Sequence, residues 1–133
     1  MNLRFSRDAA FALGILTPLA ETVRRWSTWR EEPAAYFDDF FLGGLLVYGA
    51  WRVWKDPRAG QRFLAAGWGF ACGMIFPSFF WQLRMLRLGE ADPAPVSSEW
   101  VAVIKGVGFA LAILSLAASL RPLPPDERDH QSP

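Results

Sequence analysis

The chain has 133 residues, 52% of them hydrophobic and 15% aromatic, with seven Trp and a formal net charge of +1. It is too apolar and too rich in Trp for an ordinary soluble domain of this size, and it lacks the concentrated basic patch that nucleic-acid binding requires. The single Cys, Cys72, excludes an internal disulfide, and the single His, His130, excludes a haem-ligating His pair and a His/Cys zinc or copper site. We therefore expect no cofactor and no metal.

The first apolar segment, residues 8–26, predicts a short or tilted membrane helix. Only residues 9–20 are free of charge, and they make about 18 Å of helix against a hydrocarbon core of about 30 Å. Arg4 and Arg7 precede this run, an arrangement that is also typical of a secretory signal peptide. Cleavage at the end of the run would place Pro18 where a small residue is required, so we favour a tilted or partly cavity-lining helix.

The second and third segments, residues 37–54 and 62–83, are apolar runs that also predict membrane helices. Trp residues stand near their ends, as is typical where a helix meets the membrane interface. Connections of about 8–15 residues, rich in Pro and charge, are expected between the segments, and such short connections force consecutive helices to pack antiparallel.

The fourth segment, residues 99–120, carries the strongest membrane signal. From Trp100 to Leu120 the chain runs for 21 residues with one charged side chain, Lys105. That length matches the ~20 residues that a helix needs to cross a bilayer. An ammonium inside such a span costs roughly 2.5–3.5 kcal/mol unless it reaches the interface or finds a partner, so its surroundings decide its role.

Together the segments predict an all-α fold, an integral membrane four-helix antiparallel bundle over residues 1–121 with a disordered polar tail over residues 122–133. With four spans, both termini share a membrane side with the middle connection, and that side holds eight Lys and Arg against five on the other. The positive-inside rule therefore predicts cytoplasmic N and C termini, in a multi-pass protein of a bacterial-type inner (plasma) membrane.

A stripe of small residues on each segment predicts the faces that pack together, because lipid tails provide no hydrophobic drive between helices and small residues let backbones approach. Two prolines, Pro18 and Pro77, lie inside the first and third segments. They predict kinks, which are either static or act as a hinge or local cavity. The predicted packing residues are Gly14, Gly43, Gly69, Gly73, Gly108 and Ala112.

A charged cluster near the outer ends of the segments is the candidate site. Lys105 shares its stripe with Gly108 and Ala112, so we expect it to point into the bundle, with Glu21 or Asp39 as its counter-ion. Two interpretations are open: a polar pocket open to the outside, or a Lys105 whose aliphatic stem snorkels to the outer headgroups. The candidate pocket residues are Lys105, Glu21, Asp39, Asp38, Arg25, Gln82 and Arg84.

The sequence contains no catalytic motif, nucleotide-binding loop or cofactor-ligand set. The first functional hypothesis is therefore a non-enzymatic accessory or assembly subunit, or a self-associating bundle. The alternative is a small oligomeric transporter or channel with an outward-facing polar pocket. A third hypothesis, an enzyme acting on lipid through an Asp base, is weakened because no His lies in the apolar segments and no Ser or Cys is paired with a base. The expected partners are the lipid bilayer and either further copies or a larger membrane complex, without nucleic acid.

Overall fold

The computed structural model describes residues 2–24, 33–90 and 97–124, and these residues form four α-helices and no strand. The all-α prediction is confirmed for this part of the chain. The predicted site residue Arg25 and most of the predicted tail, residues 125–133, lie outside the described residues. The helices are α1 (Leu3–Arg24), α2 (Pro33–Lys55), α3 (Pro57–Leu88) and α4 (Ser98–Ser119).

The connection between α2 and α3 is a single residue, Asp56, so the longer connection expected here is wrong. Asp56 has extended backbone angles, and its Oδ1 accepts hydrogen bonds from the backbone N–H groups of Arg58 (3.0 Å) and Ala59 (3.1 Å). Pro57 stands at the first position of the helix. A backbone N–H at this position has no acceptor within the helix, so proline, which lacks the N–H, loses no hydrogen bond there. An Asp-Pro pair therefore starts a helix here instead of forming an extended loop.

The helix α3 is also longer than predicted, with 32 residues or about 48 Å. It ends at Gly89, whose φ of 69° lies in the left-handed region that favours glycine. The backbone N–H of Gly89 donates to the carbonyl of Leu86 (3.2 Å), and that of Glu90 donates to the carbonyl of Met85 (3.1 Å). These bonds provide donors for carbonyls in the last turn of the helix, which have no donor within the helix itself.

Each helix packs mainly against its neighbours along the chain, and α1 also contacts α4 and α3, whereas the described backbones of α2 and α4 do not approach each other closely. The described core is built from small and aliphatic side chains around one large aromatic, Trp68, which is fully buried. Its members are Ala10, Leu42, Leu46, Ala50, Val53, Leu64, Trp68, Ala71 and Ala112.

The helices α1 and α2 cross at Gly14 and Gly43. A Cβ built on Gly43 would lie 2.5 Å from the carbonyl oxygen of Gly14, and one built on Gly14 would lie 2.9 Å from the carbonyl oxygen of Gly43. The Gly14 carbonyl has no helical partner one turn on, because Pro18 has no N–H to donate. The ring of Pro18 fills the space beside Gly43. The two backbones therefore approach as closely as glycine allows.

The helices α2 and α3 meet through a different glycine set from the one predicted. A Cβ on Gly49 would lie 2.8 Å from the Cα of Leu64, and a Cβ on Gly60 would overlap the backbone of Arg52 and Val53. By contrast, Gly69 and Gly73 are exposed, and a Cβ on either would meet nothing within 4 Å.

The packing prediction for Gly69 and Gly73 is therefore wrong within the described residues. The reason is the rotation of α3: once the bulky Trp68 is buried, Gly69 follows 100° further round the helix and turns outward. On α4, Ala112 is fully buried in the core, whereas Gly108 is half-buried with open space around it. Both α1 and α3 continue through their prolines, Pro18 and Pro77, and the predicted kinks stay predictions.

Side chains of α3 donate hydrogen bonds to backbone carbonyls at the C-terminal end of α4 and just after it. The amide Nε2 of Gln61 donates to the carbonyls of Ser119 (2.7 Å) and Arg121 (2.6 Å). The Arg58 guanidinium donates to the carbonyl of Pro124 (2.8 Å). The first residues of the predicted tail are thus held against α3.

The adjacent glycines Gly43 and Gly44 provide a matched test of the α1–α2 crossing. We expect Gly43→Ala to destabilise the protein by about 1–3 kcal/mol, because its Cβ meets backbone that cannot yield. Gly44→Ala should stabilise by up to about 1 kcal/mol, because its Cβ meets nothing and Ala is the better helix former. Unfolding of the purified variants in mixed detergent micelles measures both. Equal effects of the two substitutions would show that the crossing is not close.

Candidate functional site

A cavity of about 380 Å³ opens at one end of the bundle and is lined by all four helices. Most of its lining is apolar: Leu13, Leu42, Leu46, Trp68, Ala71, Met74, Ile75, Ile104 and Gly108. The polar lining residues are Thr17, Glu21, Asp38, Asp39, Ser78 and Lys105. A mostly apolar cleft with a few convergent polar groups is the usual form of a small-molecule site.

The base of the cavity is formed by Trp68, which is positioned by a buried hydrogen bond. Its indole Nε1–H donates to the backbone carbonyl of Ser6 on α1 (3.3 Å). Ser6 in turn donates from its hydroxyl to the carbonyl of Ser115 on α4 (2.9 Å). Ser6, Trp68 and Ser115 are all fully buried, so these bonds join α1, α3 and α4 within packed protein beside the cavity.

Three carboxylates line the cavity from α1 and α2. Glu21 lies in the last turn of α1 and is only 8% exposed, while Asp39 is half-buried and Asp38 is exposed near the start of α2. The close crossing of the two helices at Gly14 and Gly43 brings these ends to the same side of the bundle. Glu21, Asp38 and Asp39, which the sequence analysis placed in one polar pocket, line the same cavity.

Lys105 lines the cavity from α4. Its Nζ donates a hydrogen bond to the side-chain carbonyl Oε1 of Gln82 on α3 (3.1 Å). Gln82 is 1% exposed, and its Nε2 has no hydrogen-bond partner among the described residues. We expected Glu21 or Asp39 as the partner of Lys105; the described contact is with an uncharged amide, and both carboxylates share the cavity with the ammonium.

Arg84 does not belong to the cavity, so its prediction as a pocket residue is wrong. Its guanidinium is exposed and lies over the ring of Trp81, 5.4 Å from the ring centroid. The reason is helical geometry: Arg84 follows Gln82 by two positions, or about 200° of rotation, so an inward Gln82 turns Arg84 outward.

Sequence reasoning missed most of the apolar lining and the two hydroxyl groups, Thr17 and Ser78. One signal was available for the base of the cavity. Trp68 lies in the middle of an apolar segment instead of at an interface, where Trp is usual in membrane helices. Such a position indicates a buried partner for the indole N–H, which the structure identifies as Ser6.

Within the described residues, no group of three or more His, Cys, Asp and Glu is arranged to hold a metal. No protein-family model matches this chain, and no curated protein or solved structure does. Function is therefore inferred from the cavity and its charges.

The hydrogen bond between Lys105 and Gln82 can be measured with a double-mutant cycle of Lys105→Met and Gln82→Leu. We expect a favourable coupling of about 1 kcal/mol or more, because a hydrogen bond to a charged group is among the stronger ones. The measurement is detergent unfolding of the wild type, both single variants and the double variant. The exposed Arg84→Met, paired with Gln82→Leu, is the control and should show no coupling. A Lys105 that only snorkels would also give none.

Proposed function

We propose that this chain is a multi-pass membrane protein without enzymatic activity that binds a small molecule in the cavity between its four helices. The observation that carries this proposal is the cavity itself: about 380 Å³, apolar in its walls and charged near α1, α2 and α4. That volume lies at the lower end of the range for small-molecule sites, about 300–1,000 Å³.

The outer surface of the bundle supports a membrane location. Both α3 and α4 are long and apolar enough to cross a bilayer, and only 22% of the residues in the apolar window of each are buried inside the protein. Core helices of soluble proteins bury such windows, whereas here Phe, Trp, Ile and Leu side chains face outward on every helix. In a lipid environment these apolar side chains would not be exposed to water.

The helix contacts support an antiparallel arrangement. On α2 and α3, Gly49 lies against Leu64, while Gly60, earlier on α3, lies against Val53, later on α2. In the same sense, Gln82 contacts Lys105, while Gln61 contacts Ser119. If all four helices cross, the excess of cations near the termini puts both termini in the cytoplasm and opens the cavity to the outside. The acids of α1 and α2 lower the hydropathy of those helices. In this arrangement Glu21, Asp38 and Asp39 face the cavity, so they do not have to face lipid.

Binding is the primary role that we propose, and transport by a small oligomer is the alternative. A molecule in the cavity meets a packed layer beside it, made by Trp68, Ser6 and Ser115. Transport therefore requires that this layer open, or that further copies of the chain complete a path. A channel that is permanently open through this bundle disagrees with the packed layer.

Accessibility labelling tests the wet, outward-facing cavity. In a Cys72→Ala background we expect Thr17→Cys, which lies in the cavity, to react with a membrane-impermeant thiol reagent added from outside. Ile113→Cys, on the apolar outer face of α4, should stay unreactive because lipid covers it. The measurement is labelling in right-side-out and inverted membrane vesicles. Reaction only in inverted vesicles would reverse the orientation, and no reaction of Thr17→Cys in either would argue for a dry core.

A role as an accessory or assembly subunit, or as a self-associating bundle, stays a prediction. The mass of the intact protein released from native membranes distinguishes a lone chain, an oligomer and a larger complex. Gly73→Leu is a useful variant here, because a Cβ at this exposed position meets no described atom within 4 Å, so we expect folding to be undisturbed. If another helix packs on that face, Gly73→Leu should shift the mass to that of the single chain, whereas Gly44→Leu on α2 serves as a control for a substitution at another open position.

A further inference from the structure

We propose that the protein binds an anionic phospholipid where α2 joins α3, with the lipid phosphate beside Arg52 and Arg62 and an acyl chain along the outer face of α2. This inference rests on the membrane location proposed above and adds a ligand site that is separate from the cavity. It is carried by two guanidinium groups whose charge no described acid neutralises, and by the apolar surface that continues from them.

The charges at this end of the bundle are predominantly positive. Asp56, at the connection between the helices, uses its Oδ1 to cap α3, and Asp8 pairs with Arg7 (2.7 Å). Neither acid contacts Arg52 or Arg62 among the residues that the structure describes. An excess of cations next to a membrane attracts anionic lipid headgroups. The described cations of this end are Arg4, Arg7, Arg52, Lys55, Arg58, Arg62 and Arg121.

Arg52 and Arg62 hold their guanidinium groups over the same aromatic ring. The Cζ of Arg52 lies 5.2 Å and that of Arg62 lies 5.0 Å from the ring centroid of Phe63. The Nε of Arg52 is buried without an acceptor, and neither side chain forms an ion pair within the described part of the chain. The ring attracts both cations but accepts no charge, so two like charges stand close together. A phosphate there relieves their repulsion and accepts hydrogen bonds in the geometry that guanidinium groups offer.

The outer face of α2 continues from these cations as an apolar surface. The ring of Tyr48 meets that of Phe63 edge-on, with centroids 5.6 Å apart, and Phe41 meets Phe70 in the same way at 5.4 Å. Gly44 lies between Phe41 and Tyr48 on this face. It is exposed, and a Cβ there would meet no described atom within 4 Å. The absent side chain leaves a notch between two aromatic rings, in which an acyl chain can lie.

The length of this surface matches one leaflet of a bilayer. Phe41 and Arg52 are separated by about 16 Å along the helix, or about half of a hydrocarbon core of about 30 Å. Trp51 and Trp54 are exposed beside Arg52, as is typical of side chains at the membrane interface. A phosphate at Arg52 therefore stands at headgroup level while its chain lies along the rings. Because a free phosphate would use the cations but not the apolar surface, a lipid is the occupant that fits both.

Native mass spectrometry of the full chain in a mild detergent tests this site with lipids of defined composition. The protein is mixed with equal amounts of phosphatidylglycerol and phosphatidylcholine that carry the same acyl chains. We expect phosphatidylglycerol adducts to exceed phosphatidylcholine adducts by at least about fivefold, since each Lys or Arg near an anionic lipid contributes a factor of this size. Soluble glycerophosphoglycerol, the same headgroup without chains, should not displace the lipid at equal concentration.

Matched arginine variants assign the preference to the proposed site. Arg52→Gln and Arg62→Gln should each lower the preference for phosphatidylglycerol by several-fold. Arg84→Gln is the control, because Arg84 lies over Trp81 in a similar way near the other end of α3, and it should leave the preference unchanged. Arg62 is exposed, so its variant tests the inference even if Arg52→Gln folds poorly.

A pair of glycine variants tests the acyl-chain part of the site. Gly44→Leu should lower phosphatidylglycerol binding by several-fold, because its side chain fills the notch between Phe41 and Tyr48. Gly69→Leu also introduces a side chain at an exposed position with open space around it, but on α3 and away from this surface, so binding should be unchanged. Equal effects of the two variants would contradict a chain bound at Gly44.

The outcomes separate this inference from the proposed cavity. A preference below about twofold, or one that survives both Arg52→Gln and Arg62→Gln, overturns the lipid site. Displacement by glycerophosphoglycerol shows a site for the free headgroup and overturns the lipid as its occupant. If Thr17→Cys is unreactive while the arginine variants lose the preference, the wet cavity is overturned and the lipid site stands. If Thr17→Cys reacts and no lipid preference is found, the lipid site alone is overturned.

Discussion

The burial of Trp68 is the constraint on which the rest of the structure depends. A fully buried indole must give its N–H to an acceptor, and the available acceptor is the Ser6 carbonyl on α1. With Trp68 inside the bundle, α3 has one rotation about its axis. Gly60 and Gly67 then face α2, while Gly69 and Gly73 face outward. The Trp68 side chain also lines the cavity, so the same residue contributes to the packing of the core and to the shape of the site.

The two ends of the bundle use polar groups in opposite ways. Below Trp68, hydroxyl and amide donors bond to backbone carbonyls: Ser6 bonds to Ser115, and Gln61 bonds to Ser119. These bonds satisfy buried groups locally and join the helices. At the other end, the polar lining of the cavity includes the charged side chains of Glu21, Asp38, Asp39 and Lys105. One end is therefore built for packing, and the other has the features of a binding site.

The pairing of Lys105 with Gln82 explains how a cation is tolerated between α3 and α4. An amide carbonyl stabilises an ammonium through its dipole without adding a second buried charge, whose desolvation would be costly. The remaining amide donor of Gln82 is buried without a partner in the described residues, which costs stability. A polar arrangement that is only partly satisfied is typical of sites at which function outweighs packing.

The fold class could be predicted from the sequence because helix periodicity, chain length and apolar runs are local properties. Lys105, Glu21, Asp38 and Asp39 could be named for the same reason: charges inside or beside apolar runs are conspicuous. The rotation of α3 was not predicted: the sequence analysis expected Gly69 and Gly73 to pack, whereas Trp68 is buried and Gly60 and Gly67 lie against α2. Gly14 and Gly43 could be named as packing residues. Their contact with each other, and that of Gly43 with Pro18, could not be predicted, because these contacts depend on where the two backbones cross.

By itself, the sequence determined that this chain is helical, apolar on its outside and marked by a small set of charges at one end. Only the tertiary structure decided that Lys105 donates a hydrogen bond to the Gln82 amide, that Arg84 turns away, and that one cavity is lined by both the cation and the acids. The physical reason is that local patterns specify which face of a helix is distinctive, whereas the packing of bulky side chains between helices specifies where that face points.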